Sequence, residues 1–232
     1  DDGGGEEKYS SSSWRDATCV YVSRGALDVA VLAVELSPAD AERLVPVKLR
    51  SSSREDFDET SPGAPVAVVG HARIGPNAVH AGHVDGSPAV YPGVMSAIVR
   101  RTNRRTKPGA ATRGSKGGST YRSTAPPAMY QTTASVHSGA SGGAVVCPQH
   151  GTFLGLVTSN ARLGADGSVV PNLNFSIPAS LLEPLFAAAD AKKVKDLSLA
   201  FEGCLDDDEE LRSIWSLQDP AVSGGAGLVS KL

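Results

Sequence analysis

The sequence predicts an all-β protein, read either as one large domain or as two small lobes, and three observations carry that expectation. Glycine and proline are abundant, at 25 and 15 of 232 residues, while aromatic side chains make up only 5%. The apolar runs are short and rich in Val, Ala and Leu, with turn-forming residues between them, a pattern of many short strands rather than long helices. The length is enough to bury an ample core. No run approaches the length of a membrane span, and no secretory signal pattern is visible. A net charge of −3 argues against a general affinity for nucleic acid or membrane. The three cysteines, Cys19, Cys147 and Cys204, have no metal-ligand spacing and cannot all pair, so they read as reduced thiols.

Taken in order, residues 1–13 are glycine- and serine-rich and read as a mobile segment. A strand is expected over 17–23, a turn at Arg24-Gly25-Ala26, and a second apolar strand over 27–36 that Ser37-Pro38 stops. Residues 38–43 suit a short helical turn. Residues 50–63 are polar and read as a surface loop, 66–70 as a buried strand, 71–88 as irregular, and 91–100 as the next strand. From Arg100 to Arg122 there are eight basic residues and no acidic ones. With no aromatic stacking platform among them, they read as a solvated insertion rather than a nucleic-acid patch. Strand character resumes over 128–134, a hairpin follows over 145–159, and a further strand spans 173–177. Pro178 opens a helix expected to run to about residue 197, with Leu181, Leu182, Leu185 and Phe186 on one face. The tail from Gly203 reads as loose apart from an anchor at Ile214-Trp215.

The stretch with chemistry in it is Gly139-Ala140-Ser141-Gly142-Gly143. A serine between small residues presents a free hydroxyl at a tight bend, and the glycines let backbone N–H groups converge where a tetrahedral oxyanion would form. Gly139-x-Ser141-x-Gly143 also fits the nucleophile elbow of another hydrolase class. That elbow needs a helix directly after the serine, with its acid and histidine later in the chain. Here AVVC and a turn follow, and His150 is the only downstream histidine. Asp28, at the head of the apolar run 27–36, is the candidate acid, since an aspartate in such a setting is costly to bury without a specific partner. A plain strand-end or turn aspartate is the competing reading. The carboxyl-terminal Ser230-Lys231-Leu232 has the form of a peroxisomal import signal.

Several segments together resemble the Deg/HtrA branch of the trypsin-like serine proteases, and within it the plant peroxisomal (glyoxysomal) processing proteases. They are LDVAVLAVE, GAPVAVVGHARIGP, YPGVMSAIVR, SGASGGAVV, FLGLVTSNA and PNLNFSIPASLLEPLF, together with the terminal Ser-Lys-Leu. The resemblance runs from about Trp14 to Trp215. It implies a chymotrypsin-like double β-barrel with a C-terminal helix. Residues 1–60 would be a remnant of the N-terminal barrel, 61–200 the C-terminal barrel with the serine loop, and 201–232 a flexible tail presenting the address. It implies Ser141 as nucleophile, Asp28 as orienter of a histidine, and the N–H groups of Gly139 and Ser141 as the oxyanion hole. Thr158, Ser159 and Asn160 would pair with the substrate backbone, and Asn174 and Ser176 would help line the primary specificity pocket. The implied partners are proteins carrying N-terminal peroxisomal presequences, and an import receptor that reads the terminus. No metal or organic cofactor is implied.

One departure from that pattern stands out. The family's histidine precedes the aspartate, yet His71, His80, His83, His137 and His150 all follow Asp28. None is expected to substitute: His137 shares the serine loop and would fold back across the oxyanion hole, while His71 and His83 read as surface or loop-packing residues. The chain opens on Asp1 rather than Met and has few strands before the second lobe, so it is expected to be the C-terminal part of a longer protease, weakly active by itself. The alternative from another class is a non-catalytic peptide-binding module.

Overall fold

A computed structural model describes residues 15–49, 60–71, 88–102, 125–136, 139–163, 168–190 and 208–216. His80, His83, His137, Cys204, Ser230, Lys231 and Leu232 lie outside them, as do most of the basic stretch and the expected helix beyond residue 190.

The first two strands, β1 (Ala17–Val22) and β2 (Ala30–Val34), form an antiparallel two-stranded sheet. The second is shorter than the apolar run implied. The Val29 N–H donates to the Leu27 carbonyl at 3.1 Å and the Ser23 N–H to the Val29 carbonyl at 2.9 Å, so the chain is still turning at Asp28. Helix α1 (Pro38–Arg43) follows as expected, with Ser37 as N-cap accepting from the Asp40 N–H and proline in its first turn.

Six strands then close a barrel: β3 (Pro65–Gly70), β4 (Ala89–Arg100), β5 (Pro127–Thr132), β6 (Ala144–Val146), β7 (Phe153–Leu163) and β8 (Ser168–Pro178). Their order around the barrel is β3-β4-β5-β8-β7-β6, with every pair antiparallel and β6 pairing back onto β3. Strand alternation separates two apolar clusters. Val66, Val68, Met95, Tyr130, Val145, Leu154 and Val157 fill the interior. Met129, Phe153 and Ile177 belong to an outer cluster, which is covered by α2 (Ala179–Asp190) through Leu181, Leu182 and Leu185. Phe186 of that helix packs edge-to-face on Phe153, ring centroids 6.1 Å apart.

The expected anchor at Ile214-Trp215 is present, and it is helical. Residues Glu209–Trp215 form helix α3, with Asp208 as N-cap and Leu211 and Trp215 buried in the outer cluster. The indole N–H of Trp215 donates to the Ala128 carbonyl at 3.2 Å. Arg101, at the end of β4, pairs with Asp208, and Thr102 hydrogen-bonds Glu210, so charge ties the helix to the barrel rim.

Tyr21, Leu27 and Val29 join the same outer cluster, which fastens the β1–β2 sheet to the barrel. The fold is thus all-β apart from short helices, with one barrel closed. Among the described residues β1 and β2 build no second barrel, and Val22, Leu32 and Val34 stand exposed.

Candidate active site

The serine loop leads into β6, and contacts on both flanks fix its shape. On one side the Gly142 N–H donates to the Val157 carbonyl at 2.8 Å, and the Val157 N–H donates to the Gly143 carbonyl at 2.9 Å, fastening the loop to β7. On the other side β3 presses against it: a Cβ on Gly143 would stand 2.8 Å from the Val69 carbonyl oxygen and 2.8 Å from that of Ala140. Only glycine fits there. Gly139 and Gly142 have φ of 99° and 84°, the left-handed region that other residues rarely enter. Within this loop Ala140 points into the barrel core, and Ser141, next to it, is exposed. The expected tight bend is therefore present, and among the described residues the Ser141 hydroxyl makes no hydrogen bond. The N–H groups of Gly139 and Ser141 take no part in the loop's backbone hydrogen bonds among the described residues.

The segment between β5 and the loop is held by two buried amides. Asn174, 2% exposed, donates from its side chain to the carbonyls of Thr132, at 3.3 Å, and Ala134. Asn160, 7% exposed, donates to the Val136 carbonyl at 3.2 Å. Alternate carbonyls of residues 132–136 are thereby pinned from β8 and β7, and the wall before Ser141 is set. Asn160 and Asn174 face each other across the β7–β8 ladder. Ser176 lies deeper, and among the described residues its enclosed hydroxyl, like that of Thr132, has no hydrogen-bond partner. Thr158 donates from its hydroxyl to the Phe175 carbonyl at 3.1 Å. Strand β6 pairs with β7 only as far as Leu156, so on that side no barrel strand pairs with residues 158–160, next to Ser141.

Asp28 stands at the surface between buried Leu27 and Val29, on a turn rather than within the strand. Its carboxylate makes no hydrogen bond or ion pair among the described residues. His150 is exposed on the turn between β6 and β7. His71 is placed less remotely than its sequence setting suggested. It follows directly on Gly70, whose Cβ position would lie 3.4 Å from the Gly143 Cα and 3.5 Å from the Ala140 carbonyl oxygen. The sequence signal was a glycine closing a buried strand immediately before a histidine. Among the described residues no group of three or more His, Cys, Asp or Glu could hold a metal ion.

A closed six-stranded barrel with a glycine-framed serine at the start of a hairpin defines a trypsin-like hydrolase architecture. The profile of the trypsin-like peptidase domain matches residues 3–156, and the chain belongs to that family of serine endopeptidases. It is 32% identical over 204 residues to the human peroxisomal leader peptide-processing protease, covering 88% of this chain and 27% of that protein. The mouse protease of the same name is 35% identical over 159 residues, covering 68% of this chain and 22% of the relative. The chain thus spans about a quarter of the length of these curated relatives. Among solved structures it is similar to the HtrA-type protease AlgW bound to a decapeptide, with a TM-score of 0.44 and 21% identity over 75% of this chain and 40% of that one.

Proposed function

We propose that the chain supplies the nucleophile and acyl-side substrate strand of a peroxisomal serine endopeptidase that removes N-terminal targeting presequences from imported matrix proteins. The observation that carries this is Ser141, exposed on a loop whose neighbouring glycines tolerate no side chain or adopt positive φ. The similarity to two peroxisomal leader peptide-processing proteases supports the compartment and the substrate class. The terminal Ser230-Lys231-Leu232 supports the compartment independently and would engage an import receptor.

In this reading the presequence adds as a strand along Thr158, Ser159 and Asn160, where β6 has ended. Main-chain pairing sets the register and brings one peptide carbonyl over Ser141. The hydroxyl attacks, and the developing oxyanion accepts from the N–H groups of Gly139 and Ser141, an arrangement worth roughly 3–4 kcal/mol per donor in related chemistry. The leaving amine takes a proton, and water then hydrolyses the acyl-enzyme. The proton carrier is a histidine oriented by Asp28. No histidine precedes Asp28 in residues 1–27, and without such a base the serine hydroxyl is weakly nucleophilic. Asn160 and Asn174 serve by holding residues 132–136, the wall of the primary pocket.

Cleavage of a presequence-bearing matrix protein by the protease at its natural length tests this reading. Ser141→Ala should lower the rate by several orders of magnitude with substrate binding retained. Undiminished processing would remove Ser141 from the mechanism, and binding without cleavage in the native protein would favour a peptide-binding module instead.

A further inference from the structure

We infer that His71 is a specificity-determining residue on the leaving-group side of Ser141, where its imidazole contacts the residues that follow the scissile bond and favours a carboxylate or amide side chain among them. This rests on Ser141 being the nucleophile.

β3 and β6 are antiparallel, with Val68 opposite Val145 and Val69 opposite Ala144. The ladder ends there, and the next residue, Gly70, lies with its backbone against Gly143 and Ala140 of the serine loop. His71 follows Gly70 directly, at this edge of the loop that carries Ser141. The serine loop is therefore flanked by β7 at Val157 on one side and by the Gly70-His71 end of β3 on the other. The acyl half of a bound peptide runs along β7 beyond Val157. A scissile bond over Ser141 must then send its leaving half toward the opposite flank, where His71 stands.

His71 is exposed, as is Ser141, so a peptide crossing from one to the other meets both. Its ring makes no hydrogen bond or ion pair among the described residues. Neither β3 nor the loop 139–143 carries a carboxylate that would occupy the ring. Imidazole offers at least one N–H donor in either protonation state. An acceptor side chain arriving from the leaving half completes that bond in either protonation state, whereas a lysine or arginine could bond only to the bare nitrogen of the neutral ring.

The test compares the protease at natural length with its His71→Ala and His71→Gln variants on three probes. The first is a fluorophosphonate, which reports on Ser141 alone. The second is a presequence peptide ending in a nitroanilide at the scissile position, which has no leaving-side residues. The third is a pair of peptides extending four residues beyond that bond, with aspartate or lysine at the first two of those positions. The expected result for His71→Ala is labelling and nitroanilide turnover within about 2-fold of native, with kcat/KM on the aspartate peptide reduced about tenfold or more. Discrimination against the lysine peptide should shrink to near unity, and His71→Gln, which keeps a donor, should restore part of it. Equal losses on the nitroanilide and the extended peptides, or no loss on either, would overturn the inference. So would abolished labelling in His71→Ala, which would place the imidazole on Ser141 itself. Failure of the native protein to label at Ser141 would instead overturn the nucleophile reading beneath it.

Discussion

The carbonyl oxygen of Val69 stands 2.8 Å from where a Cβ on Gly143 would lie, and the absence of that atom is what lets the serine loop lie against β3. Both partners are backbone, so neither can rotate away. Gly143→Ala is expected to force the loop off the strand, cost about 1–3 kcal/mol as an overpacked site, and misplace Ser141. Gly142→Ala meets open space but must keep φ near 84°, a strain of about 1–2 kcal/mol without a clash. Urea unfolding and fluorophosphonate labelling of the two variants check this: both should lose stability, and Gly143→Ala should lose more labelling.

The two buried asparagines make a separable prediction. Asn174→Ala leaves the carbonyls of Thr132 and Ala134 without the amide that satisfies them, a loss of about 1–3 kcal/mol. Asn174→Asp keeps the shape but replaces the donating amide with an acceptor facing two carbonyls, and should be at least as damaging. Thermal denaturation of both, compared with the surface substitution His150→Ala, gives the ranking.

Helix α3 is predicted to be part of the folded unit. Trp215→Ala removes a buried ring and should cost about 3–5 kcal/mol. Trp215→Phe keeps most of the packing and loses the indole bond to the Ala128 carbonyl, for about 1 kcal/mol. Chemical denaturation should show this order. Equal, negligible effects would mean that the helix does not dock.

A pH-dependent tie lies at α1. The hydrogen bond from Ser37, and then that from Arg15, hold the Asp40 carboxyl below its ordinary value of 3.8. Because the folded-state pKa is depressed, the tie is fully present above the unfolded value and is lost as pH falls through the folded one. An NMR titration of Asp40 should show a midpoint below 3.8, and Ser37→Ala should raise it more than Arg15→Gln does.

Much of the barrel was legible because its strands carry local signals. The runs 66–70, 91–100 and 173–177 are apolar and bounded by turn residues, and each falls within an observed strand. The serine loop was legible for the same reason, since its glycines are a short-range requirement of the bend. What was hidden depended on packing between distant parts. Trp215 was legible as an anchor, but Leu211 sits beside an acidic run that reads as solvated, and the outer apolar cluster shows the pair as one docked helix. Asp28 looked like the head of a strand because Leu27 and Val29 are apolar, while the turn through Ser23 and Val29 leaves it at the surface. His71 lies 70 residues before Ser141 in sequence, and only the packing of Gly70 against Gly143 and Ala140 brings its end of β3 to the serine loop.

The account stands most directly on the reactivity of one hydroxyl. Treating the protease at its natural length with a fluorophosphonate and mapping the adduct by mass spectrometry is the decisive measurement. The predicted result is a single adduct on Ser141, absent from Ser141→Ala and suppressed by a presequence peptide. An unlabelled Ser141 in a protein that still processes presequences, or an adduct on another serine, would contradict it.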